Sequence, residues 1–243
     1  FKKLAFWLVA LVLGIPAGLR LAEGWQTALT WLNATPFGKT DPIFGWDVSL
    51  FVFTLPFLEL VVSFLLHLVI LSLVVSIVAS YLYGGLQAVP RPHATVPVRH
   101  HLGILAAVAS VIIGVQYWIG RYSLLTQSGD NIDGAMYADV HATLPAHSIL
   151  AAISIAVAAL FLVAAFRGTW RLPTIGVVVT VVAALVIGGA YPALIEQFRV
   201  RPNARSLNAP YIQHNIDATL EAYGLDDLDY QTYDATTSAQ PGQ

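Results

Sequence analysis

Apolar runs of membrane-crossing length divide this chain, and they leave it few ways to fold. Five segments qualify: Leu4–Leu21, Pro56–Tyr83, Leu102–Gly120, Ser148–Phe166 and Leu172–Ala190. Crossing the hydrocarbon of a bilayer takes roughly 20 residues of helix. Helix is forced, because an unpaired backbone amide in hydrocarbon costs several kcal/mol. The second run is long enough to tilt or to project past the bilayer. Composition agrees, with 57% hydrophobic and 11% charged residues, against about 25% charged in a soluble domain. The predicted fold class is all-α: a polytopic integral membrane helix bundle with interfacial helices and an extracytoplasmic tail.

The segments between the runs are sorted by charge. One alternate set holds all 14 Asp and Glu, with Glu59 the only one that edges into an apolar run. The other set holds no acid and carries Lys2, Lys3, Arg91, Arg99, Arg167 and Arg171. Basic residues of short loops stay on the cytoplasmic side. That rule places Val89–His101 and Arg167–Arg171 inside. Ala22–Leu55, Arg121–His147 and everything after Tyr191 then lie outside.

The predicted organisation is a five-span membrane domain over residues 1–191 and an extracytoplasmic tail over 192–243. Two outer stretches read as interfacial, at about 24–33 and 47–55. The first has Trp25, Leu29 and Leu32 on one face. The second is an apolar run that is expected to turn down into its span at Pro56. In the tail, Asn208-Ala-Pro210 is expected to cap a new amphipathic helix that carries Ile212, Ile216, Leu220 and Tyr223. Gly224 is expected to close it. That helix needs a partner surface. The chain opens on Phe1, so the natural N-terminus is expected to lie upstream. Lys2 and Lys3 before an apolar run imitate a signal peptide, but Leu19-Arg20-Leu21 lacks small residues for cleavage.

Several classes of function are excluded or unsupported. A net charge of −2 without a basic run suggests no nucleic-acid partner. The absence of cysteine excludes disulfides, thiolate metal sites and cysteine nucleophiles. No phosphate-cradling, dinucleotide or GxSxG pattern is present. No cofactor, metal or enzymatic activity is expected.

Two constellations invite a functional reading. Glu59, Ser63 and His67 are spaced i, i+4, i+8, on one helix face of the second span. They read either as a proton or ion path, or as an interfacial acid plus a neutral histidine bonded to a neighbouring helix. Tyr137, Asp139, His141 and His147 cluster before the fourth span. Asp139 and His141 could offer two metal ligands and His147 a third, though no strong zinc spacing is present. Alternatively Asp139 orients His141 or caps a helix. His93, His100 and His101, flanking Arg91 and Arg99, read either as an anionic-lipid site or as a solvated basic loop. Gly14 and Gly18 read as a helix-packing device.

Asp41-Pro-Ile-Phe-Gly-Trp-Asp47 followed by Val52-Phe-Thr-Leu-Pro-Phe57, Tyr81-Leu-Tyr-Gly-Gly85, Tyr117-Trp-Ile-Gly-Arg-Tyr122, Ala138-Asp-Val-His-Ala-Thr-Leu-Pro-Ala146, Arg201-Pro-Asn203 and Pro210-Tyr-Ile-Gln-His-Asn-Ile216 occur in this order. The set resembles the pattern of uncharacterised protein family 0182, multi-pass bacterial membrane proteins typical of actinobacteria. Gly120 departs from that pattern, which has an acid there. The resemblance implies further spans upstream, a large extracytoplasmic domain downstream and a place in the cell membrane. This chain then resembles the middle of the family pattern, and its tail the start of the outer domain. It implies no catalytic or binding residues.

Three roles follow as expectations. The first is a non-enzymatic scaffold or accessory subunit of a membrane complex, with membrane lipids and other membrane proteins as partners. The second is a transporter or channel for lipid or envelope components, which uses the polar face at Glu59 and His67. The third is a membrane enzyme built on Asp139, His141 and His147.

Overall fold

The computed structural model describes residues 11, 14–16, 18–19, 21–87, 93–129, 132–169 and 171–225. Most of the first expected span, Leu4–Leu21, lies outside them, as do Arg91, Trp170 and the tail beyond Leu225. The chain is all-α. A short helix α1 (Trp25–Leu32) precedes four long ones: α2 (Leu50–Leu82), α3 (Val96–Gly120), α4 (Asp139–Arg167) and α5 (Arg171–Ala222). Each of the four is long and apolar enough to cross a membrane. Between α2 and α3 a small antiparallel ribbon pairs Leu86 with Ala94 and Gln87 with His93.

The four long helices pack antiparallel in sequence order, as a row. The closest pair is α3 with α4, and its seam is built from small residues. Ala107, Ala109, Ser110 and Gly114 of α3 and Ala151, Ser154, Ala158 and Ala165 of α4 are all buried. In lipid no hydrophobic gradient drives helices together, so close backbone approach must supply the attraction. A Cβ placed on Gly103 would come 3.1 Å from the Ala165 Cα, and one on Gly114 would come 3.2 Å from the Ala151 carbonyl oxygen. By contrast, nothing among the described residues lies within 4 Å of a Cβ built on Gly14 or Gly18. The described residues thus provide no close approach at Gly14 or Gly18. Ser110 and Ser154 donate their hydroxyls to carbonyls one turn back in their own helices, Ala106 and Leu150, so burial leaves neither unpaired.

Proline shapes three of the four long helices, α2, α4 and α5. Leu50–Thr54 precedes Pro56, Asp139–Thr143 precedes Pro145, Ala184–Ala190 precedes Pro192, and Glu196–Val200 precedes Pro202; all four stretches are π-helix. A proline inside a helix lacks an N–H, and its ring crowds the carbonyl four residues earlier. That carbonyl belongs to Val52, His141, Gly188 and Phe198 in turn, each inside a widened stretch. Widening to the i+5 pattern relieves the clash without ending the helix. Two sequence expectations change for this reason. Residues 48–54 do not form a separate helix that turns at Pro56 but run straight into α2. Nor does a new helix begin at Asn208; α5 continues through Pro192 and Pro202, and Pro210 sits inside its last stretch, Ala204–Ala222. Gly224, at φ 64°, ends α5 as expected, with the Leu225 amide donating to the Leu220 carbonyl at 2.7 Å.

At the acid-free end of the row, Arg99 closes α4. Its Nε donates to the Ala165 carbonyl at 2.8 Å and its Nη2 to the Phe166 carbonyl at 3.4 Å. Gly168 follows in the left-handed conformation at φ 75°. A cation on the last carbonyls of a helix is favourable for both charge and hydrogen bonding. Ser76 Oγ and His101 Nε2, 3.1 Å apart, tie α2 to α3 at the same end.

Candidate functional site

The opposite end of the row is where the acidic segments meet. The first of them, ahead of α2, is ordered by two aspartates. Asp41 Oδ2 accepts the amides of Ile43 and Phe44, and the Gly45 amide bonds back to the Asp41 carbonyl at 2.9 Å. Gly45 adopts φ 71°, which a side chain would disfavour. Asp47 Oδ1 accepts from Phe37 at 3.2 Å and Ser49 at 2.8 Å, and its Oδ2 accepts from Gly38 at 2.9 Å. The Ser49 hydroxyl and then its amide, with Phe37 and Gly38 adding to them, hold the Asp47 carboxyl down at about 2 from an ordinary 3.8. Asp47 thus caps the helix that begins at Val48. The Asp-Pro-Ile-Phe-Gly-Trp-Asp motif is a loop-folding device. Aromatic rings fasten the loop down: Phe44 lies 4.8 Å from Tyr122, and Trp31 of α1 stacks on Phe57 at 4.2 Å.

The second acidic segment leads into α4, and the outer part of α5 lies across it. Asp139 Oδ2 accepts the Met136 amide at 3.0 Å, as a capping residue does. The Tyr137 and His141 rings stack at 4.1 Å. Arg199 stands over the Tyr137 ring at 5.4 Å. Asn208 Oδ1 accepts the Tyr137 amide at 3.2 Å, and Tyr211 Oη lies 3.4 Å from His141 Nδ1. Further along, Asn215 Nδ2 donates to the Asp133 carbonyl at 2.9 Å, and Glu221 pairs with Lys39 in the first segment. Residues 199–221 therefore form a strap that touches both outer segments in turn. The sequence reading finds the need for a partner surface but misses Arg199, Asn208 and Tyr211 as the residues that meet it. Tyr211 lies within one of the quoted motifs, which was a usable signal.

The expected constellations come apart. Tyr137, Asp139 and His141 are together, but His147 lies one helical face away, its ring 5.8 Å from Tyr117. Among the described residues, no group of three His, Asp or Glu is placed to hold a metal ion. Glu59 accepts the Ser123 hydroxyl, Ser63 donates to the Leu60 carbonyl at 3.0 Å, and His67 Nδ1 lies 2.6 Å from the Ser63 carbonyl oxygen. His67 is exposed and bonded within its own helix.

Beneath the strap runs a groove of about 940 Å³. Phe51 and Val52 line its floor, with Leu125 and Asp133 on one wall and His214 and Asp217 on the strap. Such a site offers an apolar floor and a largely acidic rim.

Fold and site define a class: an all-α, polytopic membrane bundle with a strapped, acidic face at one end. The chain matches the family described as "Uncharacterised protein family (UPF0182)" over residues 1–243, and it belongs to that family. It is 43% identical over 244 residues to the UPF0182 protein of Leifsonia xyli subsp. xyli, covering 99% of this chain and 25% of that one. It is 42% identical to the UPF0182 protein of Clavibacter sepedonicus, again over 99% of this chain and 25% of the relative. For the Kineococcus radiotolerans protein the values are 43% identity, 97% of this chain and 24% of the relative. The chain thus spans about a quarter of the length of the curated relatives it matches. No solved structure matches it.

Proposed function

We propose that this chain is a membrane scaffold, an accessory element that holds an extracytoplasmic domain or a neighbouring subunit of a cell-membrane complex against the outer face. One observation carries the reading: the strap fastens two separate outer segments into one surface, with an open groove of about 940 Å³ beneath it. Apolar residues of the strap and just beyond it remain available to a partner, with Ile216 at 45% exposure and Tyr223, after the strap, at 76%. On this reading the acidic end is extracytoplasmic and α1 lies in the interface, with Trp25, Leu29 and Leu32 turned to lipid. A transporter built on the second span would need a cavity that reaches His67. Neither the groove nor a smaller pocket beside Gly114 is lined by Glu59 or His67.

The test is gentle solubilisation of the whole protein from its own membrane, followed by identification of everything that remains bound. A stable protein neighbour that is lost on Ile216→Asp supports the scaffold. A monodisperse, partner-free protein in both forms contradicts it.

A further inference from the structure

We infer that the α3–α4 seam carries a binding site for an anionic glycerophospholipid, in the leaflet at the acidic end. Two independent features meet there. The first is an apolar slot of about 350 Å³ between the two helices. Gly114, Val115 and Trp118 of α3 line it opposite Ala151, Ala152 and Ile155 of α4. Gly114 and the alanines open the slot by lacking bulk, and its almost wholly apolar lining suits an acyl chain rather than a polar solute.

The second feature is a pair of buried nitrogens at the slot's outer mouth. Arg121 Nε is a buried atom without a hydrogen-bond partner among the described residues, and His147 Nδ1 beside it meets at most the Gly120 backbone. Leaving a buried donor unmade costs about 1–3 kcal/mol, more for a charged group. The Arg121 guanidinium lies over the Trp118 ring at 4.2 Å, and Trp118 is itself a wall of the slot. Arg121 follows Trp118 and Gly114 at helical spacing, on the same face of α3. No described carboxylate pairs with Arg121. The nearby Glu59 takes the Ser123 hydroxyl instead.

Gly120 leaves the His147 ring open on this side. A Cβ at this position would lie 3.4 Å from His147 Nδ1 and Cε1. A carboxylate carried there would face the His147 ring, and glycine offers none. Charge complementarity then calls for an anion, which none of the described carboxylates supplies. An oxygen-rich phosphate matches a guanidinium with an imidazole beside it. The adjoining slot selects an anion that carries an acyl chain. A phosphodiester at interface depth, with one chain between α3 and α4, meets both demands.

The experiment uses the whole protein in nanodiscs of phosphatidylcholine doped with phosphatidylglycerol, then native mass spectrometry of the lipids retained after release into detergent. Wild type is expected to retain phosphatidylglycerol over phosphatidylcholine by about tenfold, the scale of one or two charge-assisted bonds. Arg121→Gln should abolish that preference. Gly120→Asp should also abolish it, by supplying the carboxylate in cis, at a site whose ordinary contact distance lets the variant fold. Ala152→Phe should reduce retention of both lipids by filling the slot. Excess inorganic phosphate should not displace the lipid. Equal retention of the two lipids by wild type would overturn the inference. So would an unchanged preference in Gly120→Asp, or displacement by phosphate alone, which would mark a simple anion site.

Discussion

Asn208 and Tyr137 stand 71 residues apart in the chain, yet the Asn208 side chain accepts the Tyr137 main-chain amide at 3.2 Å. That bond fixes the outer part of α5 across the start of α4. It explains why a polar residue sits inside a helix two positions before a proline. Its carboxamide serves another segment's backbone, where its own helix has no orphan amide to offer.

Replacing Asn208 by Ala should free the strap without unfolding the bundle. The lost bond is worth about 1 kcal/mol, and the Tyr137 amide loses its partner. The chain has no native cysteine, so a Lys39→Cys/Glu221→Cys pair reports the strap directly. Disulfide yield should be high in the parent and fall several-fold with Asn208→Ala, roughly as that energy dictates. An unchanged yield would mean that Asn208 does not hold the strap.

The loop ahead of α2 should be sensitive to acid in a definite window. Asp47 has its carboxyl held at about 2 from 3.8. The folded state therefore binds the proton more weakly than the unfolded one. The stabilisation is fully present above 3.8 and is lost as pH falls through about 2. Amide exchange at Phe37, Gly38 and Ser49 should accelerate across that window. Asp47→Asn should show faster exchange at neutral pH and no such dependence.

The small-residue seam makes a contrast between glycines. Gly103→Val must push Ala165 away, and overpacking of this kind costs about 1–3 kcal/mol. Gly14→Val, with nothing described within 4 Å of its Cβ, should leave the stability of the chain unchanged. Thermal unfolding in a fixed detergent checks both. Equal effects would mean that the α3–α4 seam does not depend on close approach.

At the acid-free end, Gly168→Ala should destabilise α4. The left-handed backbone at φ 75° costs a side-chain-bearing residue about 1–2 kcal/mol, and the new methyl would collide with Arg99. Loss of the Arg99 cap should show as faster exchange in the last turn of α4, with the acidic end unaffected.

Much of this architecture is legible in the sequence. The hydrocarbon-length runs locate α2 to α5, because length and polarity are read directly from composition. Gly224 is legible as a helix stop, since only the left-handed conformation demands it. Prolines mislead. Pro56 and Pro210 read as boundaries, because a single chain does not reveal that a π-helical widening or an established helix will absorb them. The outer cluster is half legible. Tyr137, Asp139 and His141 are neighbours along one turn. Asn208 and Tyr211 reach them only through the path of α5, which local pattern does not encode. His147 is close in sequence, but it faces Gly120 and Tyr117 across the α3–α4 seam.

The described acidic segments gather at one end of the helix row, and we propose that this end faces outward. Cysteine labelling of intact cells with a membrane-impermeant maleimide tests it most directly. Asp133→Cys and Glu221→Cys should both label, while Arg167→Cys should label only after the cells are opened. Labelling of Arg167→Cys in intact cells, or protection of either of the other two when the folded protein is present at the surface, would contradict it.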